Sequence, residues 1–328
     1  MSRGTATERV VPASLVATSR QRRLISGDRI FHAFAYAAAA LIMLIALLFV
    51  IAVVIPALPA ITKFGLAFFI SRTWDPVRSQ FGALPAIYGT LVTSAIALVI
   101  AFPIGLGAAL FLAEDARLRF LRGPLSFAIE LLAGIPSVVI GLWAFFILTP
   151  LMRDNVDPFL QHTLGFLPIF QGSASGYGYL TAGLVLAIMV LPIMIALSRD
   201  VIRAVPRALR EGSLALGATS AETIWSVTLP YARVGITGAT LLSLGRALGE
   251  TIAVTMVIGN TMQISSSLFA SGYTLPSVIA NEFTEATGTV HLAALFYLGL
   301  VLILITIAVN VLARLLVWRF AGSEPTVA

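Results

Sequence analysis

One stretch of the chain places an arginine and a glutamate inside an otherwise apolar run. Arg246 and Glu250 stand four residues apart within the segment 245–260, whose other side chains are uncharged. Each charge at the centre of a membrane helix costs about 2.5–3.5 kcal/mol on an insertion scale, so the pair costs about 5–7 kcal/mol before compensation. A cost of this size indicates that the pair has a specific role.

Two interpretations of the pair stand side by side. If one helix covers about 234–262, the spacing of four puts both side chains on one face, where they can form a neutral ion pair that fixes helix packing. Alternatively, the planar guanidinium of Arg246 binds two oxygens of a tetrahedral oxyanion in a water-filled path, and Glu250 holds the arginine when no anion is present. Gly245 and Gly249 leave a strip where another helix can approach closely.

Few other residues offer reactive chemistry. Lysine occurs once, at Lys63 before Phe64, so the chain contains no P-loop for ATP. Cysteine is absent, which excludes disulfides, thiolate metal sites and cysteine nucleophiles. The histidines His32, His162 and His291 are far apart in the sequence, and none belongs to an H-E-x-x-H zinc motif. We therefore expect no catalytic residue, no metal site and no cofactor in this chain.

The elements that must position the charged pair are membrane helices. The 328 residues are 59% hydrophobic and only 11% charged, whereas soluble domains are about 25% charged. Because about 20 apolar residues in a helix cross a hydrocarbon core, the composition predicts an all-α integral membrane protein. Six stretches have the required length: Ala33–Thr62, Phe81–Ala113, Leu131–Met152, Gly178–Ser198, Val234–Met262 and Leu292–Ala313.

The distribution of basic residues predicts the orientation. Sixteen of them fall in the N-terminal tail, the second and fourth connections and the C-terminus, and only four fall in the other connections. Because arginine and lysine accumulate on the cytoplasmic side, we expect a multi-pass protein with both termini cytoplasmic. Contact with anionic lipid explains the basic tail better than nucleic-acid binding does, because no aromatic residues are interleaved with it.

The most informative polar segment is the cytoplasmic connection Arg199–Arg233. It is longer than a simple link between two helices requires, and it is helix-compatible over Ala204–Leu216 and Ala221–Val227. Thr219 or Ser220 can cap the second piece. Short amphipathic helices of this kind can dock into a groove on a partner protein or lie on lipid, and composition alone favours neither alternative.

This connection resembles the coupling loop of ABC importer permeases. The run Glu211–Gly217, followed by Leu229-Pro230, is similar to the E-A-A-x-x-x-G…I-x-L-P motif of that family, with Gly212-Ser213 where the family has two alanines. We expect Leu229-Pro230 to end the second helical piece. The resemblance implies coupling helices that sit on a separate ATPase subunit, with four coupling positions: Glu211, Gly217, Leu229 and Pro230.

A second resemblance covers about residues 30–318. The run 245–260 is similar to the fifth helix of phosphate-importer permeases of the PstC type, and the runs Phe81–Thr90 and Leu132–Leu142 support the same family. It implies a type I ABC importer permease (MetI-like) fold with six transmembrane helices, and a permease that forms the path for inorganic phosphate but is not itself an enzyme. Four residues are assigned to that path: Arg246, Glu250, Thr251 and Thr255.

The same resemblance implies a location in the bacterial plasma (inner) membrane, the partners and the division of the chain. The partners are a second homologous permease subunit, two ATPase subunits that hydrolyse ATP, and an extracytoplasmic phosphate-binding protein, with membrane lipid around the helices. The segments are an N-terminal tail at 1–28, the first helix and outside connection at 29–85, a permease core at 86–318 with the coupling loop at 199–233, and a C-terminal tail at 319–328.

Several alternatives stay open at this point. The Gly134-Ile135-Pro136-Ser137 segment can open a helix that aims backbone N–H groups at an anion, or it can be a packing kink. The nearest rival function is a permease for another oxyanion such as molybdate or sulfate. A stand-alone anion channel or exchanger is disfavoured by the coupling-type loop, and an intramembrane enzyme by the lack of an evident nucleophile–base pair.

Overall fold

The structure is a computed structural model that describes residues 14–114 and 119–321. The chain divides into two compact units, Met1–Ile55 and Pro56–Ala328. The described part of the first unit is helical and belongs to α1 (Ser14–Phe64). The segment predicted as a tail at 1–28 is thus helical from Ser14 onward, and residues 1–13 lie outside the described ones. The predicted segment boundaries remain predictions.

Most of the described residues of the second unit are helical. The short helix α2 (Ala67–Ile70) precedes an antiparallel pair of two-residue strands, β1 (Trp74–Asp75) and β2 (Gln80–Phe81). The remaining helices are α3 (Leu84–Glu114), α4 (Arg119–Gly134), α5 (Ser137–Leu164), α6 (Tyr179–Arg203), α7 (Arg207–Ala215), α8 (Ser220–Thr223), α9 (Leu229–Gly249), α10 (Ile252–Val257), α11 (Leu275–Glu282) and α12 (Thr289–Ala321).

Five helices among the described residues are long and apolar enough to cross a membrane: Phe31–Phe64, Leu84–Glu114, Ser137–Leu164, Tyr179–Arg203 and Thr289–Leu315. These helices confirm the all-α membrane class. By length and hydropathy, however, only five of the described helices qualify as spans, and not the predicted six. The sixth candidate is α9, whose 21 residues extend for about 32 Å at ~1.5 Å per residue. Arg233 and Arg246 lower its mean hydropathy.

Wide π-helical turns precede three prolines in the helices. Proline has no N–H, and its ring clashes with the carbonyl four residues earlier, so a locally widened turn lets the helix continue. Each of these turns ends two residues before its proline: Ala144–Leu148 before Pro150, Met152–Val156 before Pro158, and Ile224–Thr228 before Pro230.

These turns correct two predicted helix ends. Leu229-Pro230 does not end a helical piece, because the helix passes through the wide turn and Pro230 lies in the first turn of α9. The third span does not end at Met152, because α5 continues to Leu164. That span also starts later than predicted, since residues 131–134 belong to α4.

Two buried clusters fix the helices that carry the candidate sites. The larger joins α3, α5, α6 and α10 through small and branched side chains that include Ala97, Ile140, Val185 and Val254. The second joins the C-terminal ends of α3 and α6 to the first half of α9 through Ala109, Ile202, Val205, Ala232 and Ile236. Helix α6 is therefore common to both clusters.

Candidate functional site

The helix that carries Arg246 ends before Glu250. Glu250 has extended backbone (φ −69°, ψ 130°), and α10 begins only at Ile252. The continuous fifth helix predicted over Val234–Met262 is therefore wrong. Gly249 and the β-branched Thr251 both lower helix propensity, and the Thr251 hydroxyl donates a hydrogen bond to the Gly249 carbonyl (3.2 Å), which replaces a helical contact.

Arg246 and Glu250 nevertheless line one cavity of about 490 Å³. Its wall also includes Ile193 and Leu197 of α6 and Leu242 of α9. The Arg246 side chain is exposed, and within the described part of the chain no ion pair joins it to Glu250. The guanidinium therefore keeps its planar set of donors available to an anion in the cavity.

Thr251 and Thr255 lie outside the wall of this cavity. The Thr255 hydroxyl donates to the Thr251 carbonyl at 2.8 Å, and the Asn260 amide donates to the Thr255 carbonyl at 2.8 Å. The structure thus brings together two of the four predicted path residues on the cavity, and the two threonines tie α10 to its flanking backbone.

The glycines beside the charged pair present an open face. A methyl group placed on Gly245 or Gly249 would meet no other atom within 4 Å, and the same holds for Gly238 on α9. Both Gly245 and Gly249 also border the cavity. The strip predicted from the four-residue spacing therefore has room for the close approach of another helix.

The Gly134-Ile135-Pro136-Ser137 segment opens a helix. Pro136 is extended (ψ 139°), and α5 begins at Ser137. One turn further, Gly141 lets α5 approach α10: a methyl group there would stand 2.7 Å from the Met256 sulfur and 2.9 Å from the Ala253 Cα. This close contact places the start of α5 against the helix that follows Glu250.

The run Tyr88-Gly89-Thr90 holds the polar segment that follows α10. The Tyr88 hydroxyl donates to the Ser265 carbonyl (2.7 Å), and the Thr90 hydroxyl accepts the Leu275 N–H (2.9 Å). Between them, a methyl group on Gly89 would overlap the Tyr273 carbonyl oxygen, so only glycine permits this approach. These contacts fix residues 265–275 on α3.

The predicted coupling loop is a helix–turn–helix closed by Gly217. Two hydrogen bonds close the C-terminus of helix α7: the Ala218 N–H donates to the Ser213 carbonyl (3.2 Å), and the Gly217 N–H donates to the Leu214 carbonyl (3.0 Å). Gly217 has φ +92°. This is the Schellman arrangement, in which the residue after the helix cap adopts a left-handed conformation that glycine accepts without strain. Gly217 thus sets the direction of the chain into α8.

A reciprocal cap starts the second helix of the loop. The Thr219 N–H donates to Glu222 Oε2 (2.7 Å), and the Glu222 N–H donates to Thr219 Oγ1 (3.2 Å), which confirms Thr219 as the cap. Hydrogen bonds from the Thr219 backbone N–H and hydroxyl hold the pKa of the Glu222 carboxyl below its usual value. The Ser213 hydroxyl lies 3.0 Å from the Thr223 hydroxyl and joins the two helices.

The loop exposes apolar side chains that the motif did not single out. Leu216 is 91% exposed and Trp225 is 73% exposed, and Leu209 and Leu214 are also exposed. Glu211 is exposed on α7 as well, whereas Leu229 packs against the cluster of Ile202 and its neighbours. Large apolar residues inside a polar segment were the available signal for such a contact surface.

Comparison with known proteins identifies the family. Residues 101–322, more than half of the chain, match the family model described as "Binding-protein-dependent transport system inner membrane component". The chain belongs to this family. It is therefore an inner-membrane permease component of a binding-protein-dependent transport system, with several membrane-spanning helices.

Close relatives of the permease carry one common name. This chain is 50% identical over 264 residues to the phosphate transport system permease protein PstC of Xylella fastidiosa, and the match covers 79% of this chain and 81% of the relative. It is 44% identical over 302 residues to PstC of Mesorhizobium japonicum, which covers 91% and 92%. These matches confirm the resemblance to ABC importer permeases of the PstC type.

A solved structure agrees with the permease fold. The chain is similar to a bacterial alginate ABC transporter crystallised with an alginate-bound periplasmic protein, with a TM-score of 0.59 over 92% of this chain and 99% of the other. At 16% identity this likeness concerns the fold alone. The type I importer permease architecture is confirmed, while the residue roles in the permease remain predictions.

Proposed function

We propose that this chain is the path-forming permease subunit of an ATP-driven importer of inorganic phosphate. Its 44% identity over 92% of a PstC phosphate permease supports the substrate class. The observation that carries the proposal is the exposed guanidinium of Arg246 on a cavity between α6 and α9. Phosphate oxygens match the planar donors of arginine.

In this proposal Arg246 binds the anion and Glu250 shapes its selectivity. Hydrogen phosphate carries a proton that a carboxylate can accept, whereas sulfate carries none near neutral pH. Both residues line the same cavity, and among the ion pairs of the described residues none joins the two. Thr251 and Thr255 belong to the path as residues that hold α10 beside it.

Partner subunits complete the proposed machine. The exposed Leu216 and Trp225, with Glu211 on α7 and the Gly217 turn, form a surface suited to a groove on a separate ATPase subunit, which hydrolyses the ATP. Two such ATPases, a second homologous permease on the open glycine face of α9, and a phosphate-binding protein outside make up the complex. The bias of basic residues supports cytoplasmic termini.

The test is uptake of radioactive phosphate into vesicles that hold the assembled complex, normalised to the amount of complex. Hydrogen bonds to charged groups contribute about 1.5–3 kcal/mol, so we expect Arg246→Ala to lower uptake by at least about tenfold. Arg246→Lys should also be impaired, because an ammonium lacks the planar fork. Arg78→Ala, on the exposed hairpin, serves as the control and should transport normally.

Three outcomes would contradict parts of the proposal. Restored uptake in the double variant Arg246→Leu with Glu250→Leu would make the pair a packing element. Equal competition by molybdate or sulfate would point to another oxyanion as substrate. Uptake that proceeds without ATP would indicate a channel or exchanger.

A further inference from the structure

Helix α7 of the coupling loop is held without a buried side chain. None of the residues Arg207–Ala215 is buried. Its polar contacts include the Arg210 guanidinium, which donates to the Ile202 carbonyl, and the Ser213 hydroxyl, which meets Thr223. Because little apolar surface attaches this helix to the permease, polar contacts set its position.

One of these contacts reaches a different membrane helix. Arg210 Nη2 lies 3.1 Å from Oε1 of Glu114, and the two side chains are only 19% and 17% exposed. Glu114 is the last described residue of α3, and its carboxylate is largely removed from water, which is costly for an unpaired charge. A nearby cation is therefore required at this position, and Arg210 supplies it.

The end of α3 is itself firmly packed. Ala109, with Leu110 and Ala113 beside it, joins α3 to the ends of α6 and α9. The Arg203 guanidinium adds a hydrogen bond to the Leu112 carbonyl at 3.1 Å. A force applied to α7 through Arg210 therefore acts on a helix that is distant in sequence, as well as on α6 and α9, which flank the loop in the chain.

We propose that the Arg210–Glu114 ion pair is a positioning contact that transmits movement of α7 to α3 during coupled transport. This inference rests on the proposed function and deepens it. Neither residue lines the cavity of Arg246 and Glu250, so the pair acts through the helices that it connects.

The experiment measures phosphate uptake and ATP hydrolysis on the same reconstituted complex. Glu114→Gln keeps the shape of the side chain and removes its charge. We expect normal assembly and a rise of about fivefold or more in the ATP hydrolysed per phosphate imported. A fivefold change is at the lower end of the effects that coupling between two sites typically produces. Glu114→Asp, which keeps the charge on a shorter side chain, should give an intermediate ratio.

Charge exchange provides the rescue. The double variant Glu114→Arg with Arg210→Glu restores opposite charges and should return the ratio part of the way to that of the wild type. The matched control is Arg207→Gln on the same helix: Arg207 is exposed and makes no ion pair with any described residue, so its ratio should not change.

The outcomes separate the possible failures. An unchanged ratio in Glu114→Gln, or a loss of assembled complex in both Glu114→Gln and Glu114→Asp with an unchanged ratio in what remains, would overturn the positioning role. Failure of the rescue would do the same. Absence of ATP-dependent phosphate uptake in the wild type and in Arg207→Gln would instead overturn the proposed function itself.

Discussion

Gly212 and Gly217 lie in the same coupling loop but meet opposite backbone constraints. Gly212 lies inside α7, where alanine is the better helix former. Gly217 has φ +92°, which alanine adopts only with strain. A methyl group at either position would meet no other atom within 4 Å. Any difference between their alanine variants therefore reports backbone conformation and not crowding.

We predict that Gly217→Ala destabilises the turn between α7 and α8 by about 1 kcal/mol, whereas Gly212→Ala stabilises α7 by about 0.5–1 kcal/mol. Hydrogen exchange of the Ala218 amide, which closes the turn, measures both effects. Binding-protein-stimulated ATP hydrolysis should fall for Gly217→Ala and persist for Gly212→Ala. Equal effects of both substitutions on exchange would contradict the assigned role of Gly217.

At the scale of elements, α3 is the scaffold that holds the polar segment after α10. Tyr88 and Thr90 hydrogen-bond to it, and Gly89 allows the Tyr273 carbonyl to approach. The break at Glu250 therefore lies between α9, packed on α6, and a segment attached to α3. An alanine at Gly89 would collide with backbone, which cannot move aside as a flexible side chain can.

We expect Gly89→Ala to destabilise the permease by about 1–3 kcal/mol, as overpacking of a close-packed interior does. Gly107→Ala on the same helix is the control, because a methyl group there would meet no other atom within 4 Å. The thermal midpoint of the purified complex compares the two variants. A midpoint for Gly89→Ala no lower than that for Gly107→Ala would contradict the close approach of Tyr273.

At the scale of the whole molecule, orientation decides whether the coupling surface can meet an ATPase. Sixteen basic residues lie in the tails and connections assigned to the cytoplasm, and four lie in the other connections. The exposed Leu216 and Trp225 stand in the connection between α6 and α9. This surface serves coupling only if that connection is cytoplasmic.

Reporter fusions test this orientation. Fusions after Ser79 and after Gly172 should report the outside, and a fusion after Arg210 should report the cytoplasm, because the positive-inside rule acts on short connections. Enzymatic reporters that work on only one side of the membrane give the measurement. Reversal of two or more positions would overturn the orientation and, with it, the coupling role of α7.

The amino-acid sequence alone determined the membrane class, most helix positions, a cap at Thr219 or Ser220, and the break at Gly217 between the two helical pieces of the loop. These features depend on composition and on residues a few positions apart, so they can be recognised locally. Counting spans by hydropathy misses α9, because two arginines lie within that helix.

The tertiary structure decided the rest. The break between Arg246 and Glu250, the wide turn before Pro230, the contact of Gly89 with Tyr273 and the pairing of Glu114 with Arg210 are not evident from local propensity. Each depends on packing or on partners distant in the chain, and one sequence gives no measure of which distant residues meet. Physical contact in the folded state, and not spacing along the chain, sets the geometry of both candidate sites.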